Sequence, residues 1–114
     1  MAPEVPFPRP IRWARLRADE AERVIRERAT DTGNVVILEH AFDRIDLRAI
    51  VAEDVYRILR NGYVEGPPTR DGDEWKVVVV KRMPGTREAG VVTVFTREDK
   101  HLIVVTVEWM DLLR

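Results

Sequence analysis

The chain has 114 residues, no cysteine and a net charge of −1, with 45% hydrophobic and 34% charged residues. This length fits one domain with a self-supporting core, and the lack of cysteine excludes disulfides, thiolate metal sites and cysteine nucleophiles. The near-neutral charge argues against a protein wrapped in nucleic acid, because such binding depends on many basic groups, so any RNA contact has to come from a local cluster.

The N-terminal segment is rich in proline: four of the seven prolines lie in residues 1–10. Proline disfavours both helices and central strands, so we predict a flexible arm over residues 1–15 and a single domain over residues 16–114. Trp13 is the residue expected to anchor this arm to the domain. The chain has no apolar stretch of signal-peptide or membrane-spanning length, which predicts a cytoplasmic protein without a membrane partner.

Apolar residues at helical spacing dominate the first half of the chain, beginning with Ala21, Val24 and Ile25. The elements predicted there are a helix over 18–31, a strand over 34–38 and two helices over 40–48 and 52–60. Gly33 is expected to stop the first helix in the left-handed conformation, and Asn61-Gly62 to close the last one.

The second half of the chain alternates between apolar runs and turn signals. The strands predicted there cover 63–65, 75–82, 91–95 and 101–109. Such runs indicate an antiparallel meander. We therefore predict an α+β fold, in which N-terminal helices pack on one face of a four- to five-stranded, mainly antiparallel β-sheet.

The cluster that best suggests chemistry is His40, Arg44 and Arg48. Steps of four residues place the three on one stripe of a helix, each roughly 40° further round. Two guanidinium groups on this stripe suit a phosphate, with His40 beside them for proton transfer. The alternative is that both arginines pair with acids on the sheet while His40 hydrogen-bonds the backbone at the helix start.

The last strand offers a second group. Strict alternation puts Thr106 and Glu108 on one face with Leu102 and Val104, and His101, Ile103, Val105, Val107 and Trp109 on the other. Thr106 and Glu108 then flank a cleft with Lys76, Lys81 or Arg82 opposite, or else form the solvated end of the strand. Trp75 and Trp109 are interpreted as packing residues. The sequence has no motif for a cofactor or a metal.

Several segments resemble a bacterial family of domains of unknown function, number 4258. The resemblance is carried by V-V-I-L-E-H-A-F-D-R-I-D-L-R-A-I, E-D-V-Y-R-I-L-R-N-G, D-E-W-K and V-V-T-V-E-W, in this order over Asp31 to Trp109. Two positions depart from the family pattern. Ala49 replaces a glycine, and Val51 replaces a serine or threonine helix cap, so the turn between the two short helices is expected to be built differently.

This resemblance implies a relation to the RelE-like or barnase-like toxins of toxin–antitoxin pairs, and hence a metal-independent endoribonuclease. His40 would be the acid or base, Arg44 and Arg48 the phosphate clamp, and Glu108 or Lys81 the second proton-transfer group. The implied partners are RNA and a neutralising antitoxin-like protein, and no cofactor is expected. The alternative function is a non-catalytic interaction or structural module of the same fold.

Overall fold

The computed structural model describes residues 10–113, apart from the side chains of residues 46–48 and 112–113. The helices are α1 (Ala18–Ala29), α2 (Glu39–Arg48), α3 (Ala52–Asn61) and a short α4 (Met110–Leu113); the strands are β1 (Val35–Ile37), β2 (Tyr63–Asp71), β3 (Glu74–Arg82), β4 (Glu88–Thr96) and β5 (Leu102–Trp109).

The five strands form one mixed sheet in the order β1-β5-β4-β3-β2. The last four strands form the predicted antiparallel meander, while β1 pairs with β5 in parallel. Short turns connect the strands of the meander. β1 and β5 are neighbours in the sheet, although α2, α3 and the other three strands lie between them in the sequence. The predicted α+β class and mainly antiparallel sheet are confirmed.

The hydrophobic core lies between the helices and one face of the sheet. α1 packs over β2 and α3, α3 packs over β3 and β4, and α2 packs against β5. The largest fully buried side chains of this core include Ile25, Ile58, Leu59, Val79, Val91, Phe95, Leu102, Val104 and Val107. Trp75 is buried and Trp109 packs against the core, as the sequence predicts.

Two local predictions are wrong, and one short helix was missed. α1 ends at Ala29, and Gly33 is not in the left-handed region but lies in a 3-10 turn, where its N–H donates to the Asp31 carboxylate. β2 extends to Asp71 through residues 66–68, because a shift in register between Glu65 and Thr69 accommodates the two prolines. The short α4 was not predicted.

The strict alternation predicted for the last strand is also wrong. Thr93 pairs with Val104 and Val92 with Thr106, so a β-bulge leaves Val105 without a partner in the β4–β5 ladder. Beyond this bulge the strand exchanges its faces. Leu102, Val104 and Val107 therefore all face the core, whereas alternation alone assigned Val107 to the other face.

Residues 1–9 of the predicted arm lie outside the described residues, and the division at residue 15 stays a prediction. In the described part, Trp13 makes an edge-to-face contact with Phe95, with ring centroids 6.1 Å apart. The buried Glu20 carboxylate accepts hydrogen bonds from the N–H groups of Arg17 and Arg12, at 2.9 and 3.1 Å. These hydrogen bonds, that from Arg17 above all, hold the pKa of Glu20 below its ordinary value.

Candidate functional site

α2 is positioned directly by the sheet. Leu38 N–H donates to the Val104 carbonyl at 3.1 Å, so the helix starts beside β5 as soon as β1 ends. Ala41 and Ile45 are buried against the core. The helical period then places His40 and Arg44 together on one flank of α2, as the four-residue spacing predicts.

His40 and Arg44 converge with Glu108 of β5. The Arg44 Nε lies 3.5 Å from His40 Nε2 and 4.0 Å from a carboxylate oxygen of Glu108. His40 is exposed, the Arg44 side chain is 35% exposed and the Glu108 side chain 14%. The distance to His40 is at the upper limit for a hydrogen bond, and the distance to Glu108 is at the upper limit for an ion pair. An ion pair this long contributes less than about 1 kcal/mol to stability. Arg44 is therefore held near Glu108 without being locked to it.

The bulge in β5 decides where Glu108 points. Cross-strand partners share a face of a sheet, so Thr106 lies with Val92 and Glu108 with Gly90 on the face away from α1 and α3. Without the extra residue, Thr106 and Glu108 would follow Leu102 and Val104 into the core. The Thr106 hydroxyl is itself buried and has no hydrogen-bond partner in the described part of the chain.

Lys81 is not part of this cluster. It pairs with Ala89, which pairs with Trp109, so its side chain shares the core face of the sheet and not the face of Glu108. Arg48 occupies the last turn of α2, but its side chain lies outside the described residues. The structure thus brings together three of the five predicted residues and separates Lys81 from them.

Contrary to the expectation of a different turn, the backbone that ends α2 keeps a glycine-like conformation, whereas the start of α3 is capped differently. Ala49 has a φ of +57°, the left-handed conformation that favours glycine. Val51 begins α3 without a side-chain cap, and the carboxylate of Asp54 accepts the Val51 N–H at 3.1 Å instead. The turn keeps the geometry that a glycine would give at the cost of roughly 1 kcal/mol or more of backbone strain.

A concave region with a volume of about 270 Å³ lies at the other end of the sheet from this cluster. Its charged lining comprises Arg70, Arg97, Asp73 and Glu98, which sum to no net charge. Arg70 stacks over Trp75 with its guanidinium carbon 5.6 Å from the ring centroid. Because Trp75 is only 7% exposed, it packs in the protein and does not offer its face to a base.

Two general properties follow from the described residues. No group of three or more His, Asp or Glu side chains among them is arranged to hold a metal ion. No helix among them has the length and apolar character needed to cross a membrane.

Comparison with known proteins identifies a family. The family model described as "Domain of unknown function (DUF4258)" matches residues 37–109, from the end of β1 to the end of β5. The matched segment contains His40, Arg44 and Glu108. No curated protein and no solved structure matches the chain.

Proposed function

We propose that this chain, which belongs to the DUF4258 family, is a metal-independent endoribonuclease of the toxin type. The observation that carries the proposal is the convergence of His40, Arg44 and Glu108, contributed by α2 and β5, at 3.5 and 4.0 Å. Cleavage of a phosphodiester by a 2′-hydroxyl requires a base, an acid and a cation, and an imidazole, a carboxylate and a guanidinium can fill these three roles.

In the proposed reaction, the RNA 2′-oxygen attacks the adjacent phosphorus and the bond to the 5′-oxygen breaks. One of His40 and Glu108 accepts the 2′-hydroxyl proton, and the other donates a proton to the leaving 5′-oxygen. The products are a 2′,3′-cyclic phosphate and a free 5′-hydroxyl.

Arg44 lies between the two proton-transfer groups, where it would stabilise the negative charge of the pentavalent phosphate. Its contacts in the free protein are loose, so a phosphate can replace Glu108 as its partner at little cost. Arg48, one turn further along α2, is the second proposed phosphate ligand. Lys81 takes no part, because its side chain shares the opposite face of the sheet.

The test is induced expression in a bacterium with growth and RNA ends recorded, followed by cleavage of a defined RNA by the purified protein in the presence of a chelator. His40→Ala and Arg44→Ala should each lower cleavage by roughly 100-fold or more. Lys81→Ala, which removes a partly exposed cation of β3 on the other face of the sheet, should leave it unchanged. RNA with a 2′-deoxy residue at the scissile position should resist cleavage.

Soluble, folded wild-type protein that neither arrests growth nor cleaves RNA would contradict the proposal. Cleavage that survives both His40→Ala and Arg44→Ala would remove this cluster from the reaction.

The second candidate function is a non-catalytic interaction module. The observation that favours it is the group of exposed aliphatic and aromatic side chains at β1 and the start of α2, with Val36, Leu38 and Phe42 exposed by 37%, 42% and 50%. If the chain is such a module, His40→Ala should not change the affinity for its partner, and the protein should not cleave RNA.

A further inference from the structure

The outer edge of β1 has no strand beside it among the described residues. β1 stands at the end of the sheet and pairs only with β5. Since Leu38 N–H donates to Val104 of β5, alternation directs the N–H and carbonyl of Val36 to β5 as well and those of Ile37 away from it. The backbone of Ile37 therefore presents a donor and an acceptor at an open edge.

The side chains beside this edge are apolar and exposed. Val36 and Leu38 project to the face of the sheet away from the helices, because Val35 and Ile37 pack against the core. Phe42 follows Leu38 by one helical turn, its N–H donating to the Leu38 carbonyl at 3.1 Å, and half of its surface is exposed. Large apolar side chains clustered at an open edge are characteristic of interaction surfaces.

The segment that contains β1 carries acidic side chains and no lysine or arginine. Residues 31–43 contain three carboxylates, from Asp31, Glu39 and Asp43, and neither lysine nor arginine. All three are exposed, and they form no ion pair with any residue that the structure describes. The carboxylates lie before the start of β1 and after its end, so both ends of the edge favour a cationic neighbour.

We infer that this surface binds an extended segment of a partner protein as an added strand. The segment would have alternating aliphatic residues and lysine or arginine at its ends. The β1 edge surface consists of the outer edge of β1 with Asp31, Val36, Leu38, Glu39, Phe42 and Asp43. The added strand receives its main-chain hydrogen bonds from Ile37, covers Val36 and Leu38 with its aliphatic side chains, and places its basic ends against the carboxylates. The inference goes beyond the proposed ribonuclease function and does not depend on it.

Selection of random peptides of about 12 residues against the full chain tests the inference, because this length covers the three residues of β1 and leaves flanking residues on both sides. The selected peptides should share aliphatic alternation and basic ends. Their binding, followed by fluorescence polarisation, should weaken about tenfold or more in Leu38→Lys and in the double variant Glu39→Lys with Asp43→Lys. Val51→Lys, at the N-cap of α3, and Glu53→Lys, in its first turn, place a lysine at exposed positions outside the β1 edge surface and should leave affinity within a factor of about two.

Amide hydrogen exchange identifies the mode of binding. The Ile37 amide should exchange rapidly in the free protein and about tenfold or more slowly with a selected peptide bound. Peptides methylated on the backbone nitrogens that face β1 should lose binding, because they cannot donate to the ladder.

Four outcomes would overturn the inference. These are a selection that enriches no peptide, enriched peptides with acidic ends, binding that ignores the Leu38 and carboxylate variants, and an Ile37 amide that stays unprotected when peptide is bound. Protection of Ile37 in the free protein that increases with concentration would assign the edge to a second copy. Protection that disappears when residues 1–9 are deleted would assign it to the chain's own N-terminal segment. RNA cleavage measured on the same variants separates this result from that of the ribonuclease proposal.

Discussion

The two edges of the sheet are finished in different ways. β2 is nine residues long, yet its edge is interrupted by Pro67 and Pro68 and a register shift, and its start is held by α1. The Val64 N–H donates to Glu22 of α1 at 3.0 Å, and Arg26 of α1 donates to the Gly62 carbonyl at 2.7 Å. β1 has only three residues, without proline and without comparable side-chain bonds at its outer edge among the described residues.

This difference shows how a protein can protect one edge and leave the other available. Prolines, bulges and side-chain bonds to the backbone all discourage pairing with another chain. β1 relies on its short length alone, while its exposed side chains are apolar. The candidate site and the β1 edge surface both lie towards this less constrained side of the sheet, on α2, β5 and β1.

The largest effect should come from Gly62, at the β2 side. A Cβ here would lie 2.6 Å from the Ile58 carbonyl oxygen and 2.7 Å from that of Val80, and backbone atoms cannot move aside cheaply. Gly62→Ala should lower the free energy of unfolding by about 3 kcal/mol in denaturant titration. Gly33→Ala, before β1, meets only the movable Asp31 side chain and should cost clearly less. Equal losses of stability in the two variants would contradict the proposed difference between the β2 side and the β1 side of the sheet.

The next effect concerns Glu20, on the helix that braces β2. Glu20→Gln keeps the shape but weakens the two backbone hydrogen bonds, and should cost about 2 kcal/mol near neutral pH. The folded pKa of Glu20 lies below its ordinary value of 4.5, so its contribution is present above pH 4.5 and is lost as the pH falls through the folded pKa. The stability difference between wild type and variant should therefore shrink in acid. A difference that stays constant down to acid unfolding would show that the charge is not involved.

Ala49→Gly should act in the opposite direction, on the β1 side. Glycine removes the backbone strain of an alanine in the left-handed conformation, and this gain exceeds the cost of the entropy that glycine adds to the unfolded chain. The free energy of unfolding should therefore rise by about 1 kcal/mol. Thermal unfolding measures this, with Ala52→Gly at the first position of α3 as the control that should not stabilise the protein. If Ala49→Gly destabilises, the turn after α2 does not have this conformation.

The smallest effect should come from Thr106, beside the candidate site. Thr106→Val removes a buried hydroxyl that has no partner among the described residues, and should raise stability by roughly 0.5 kcal/mol. Chemical denaturation and RNA cleavage should be measured on the same preparation. Unchanged cleavage would show that the hydroxyl has no role in the reaction. A loss of cleavage in a stabilised variant would show that the hydroxyl belongs to the candidate site.

The sequence predicted most of the architecture because its signals are local. Helical spacing in α1, α2 and α3 and the turn signals of the meander determine each element largely by its own residues. The same holds for one part of the candidate site, since His40 and Arg44 are neighbours on a helix by spacing alone.

Only the tertiary structure decided the rest. The β5 bulge depends on how two strands align, and no residue near Val105 signals it, yet it determines that Val107 enters the core and that Glu108 faces Arg44. The length of β2 and the separation of Lys81 from the cluster likewise depend on partners distant in the chain. Local propensity determines which elements form, but cross-strand register determines which side chains meet.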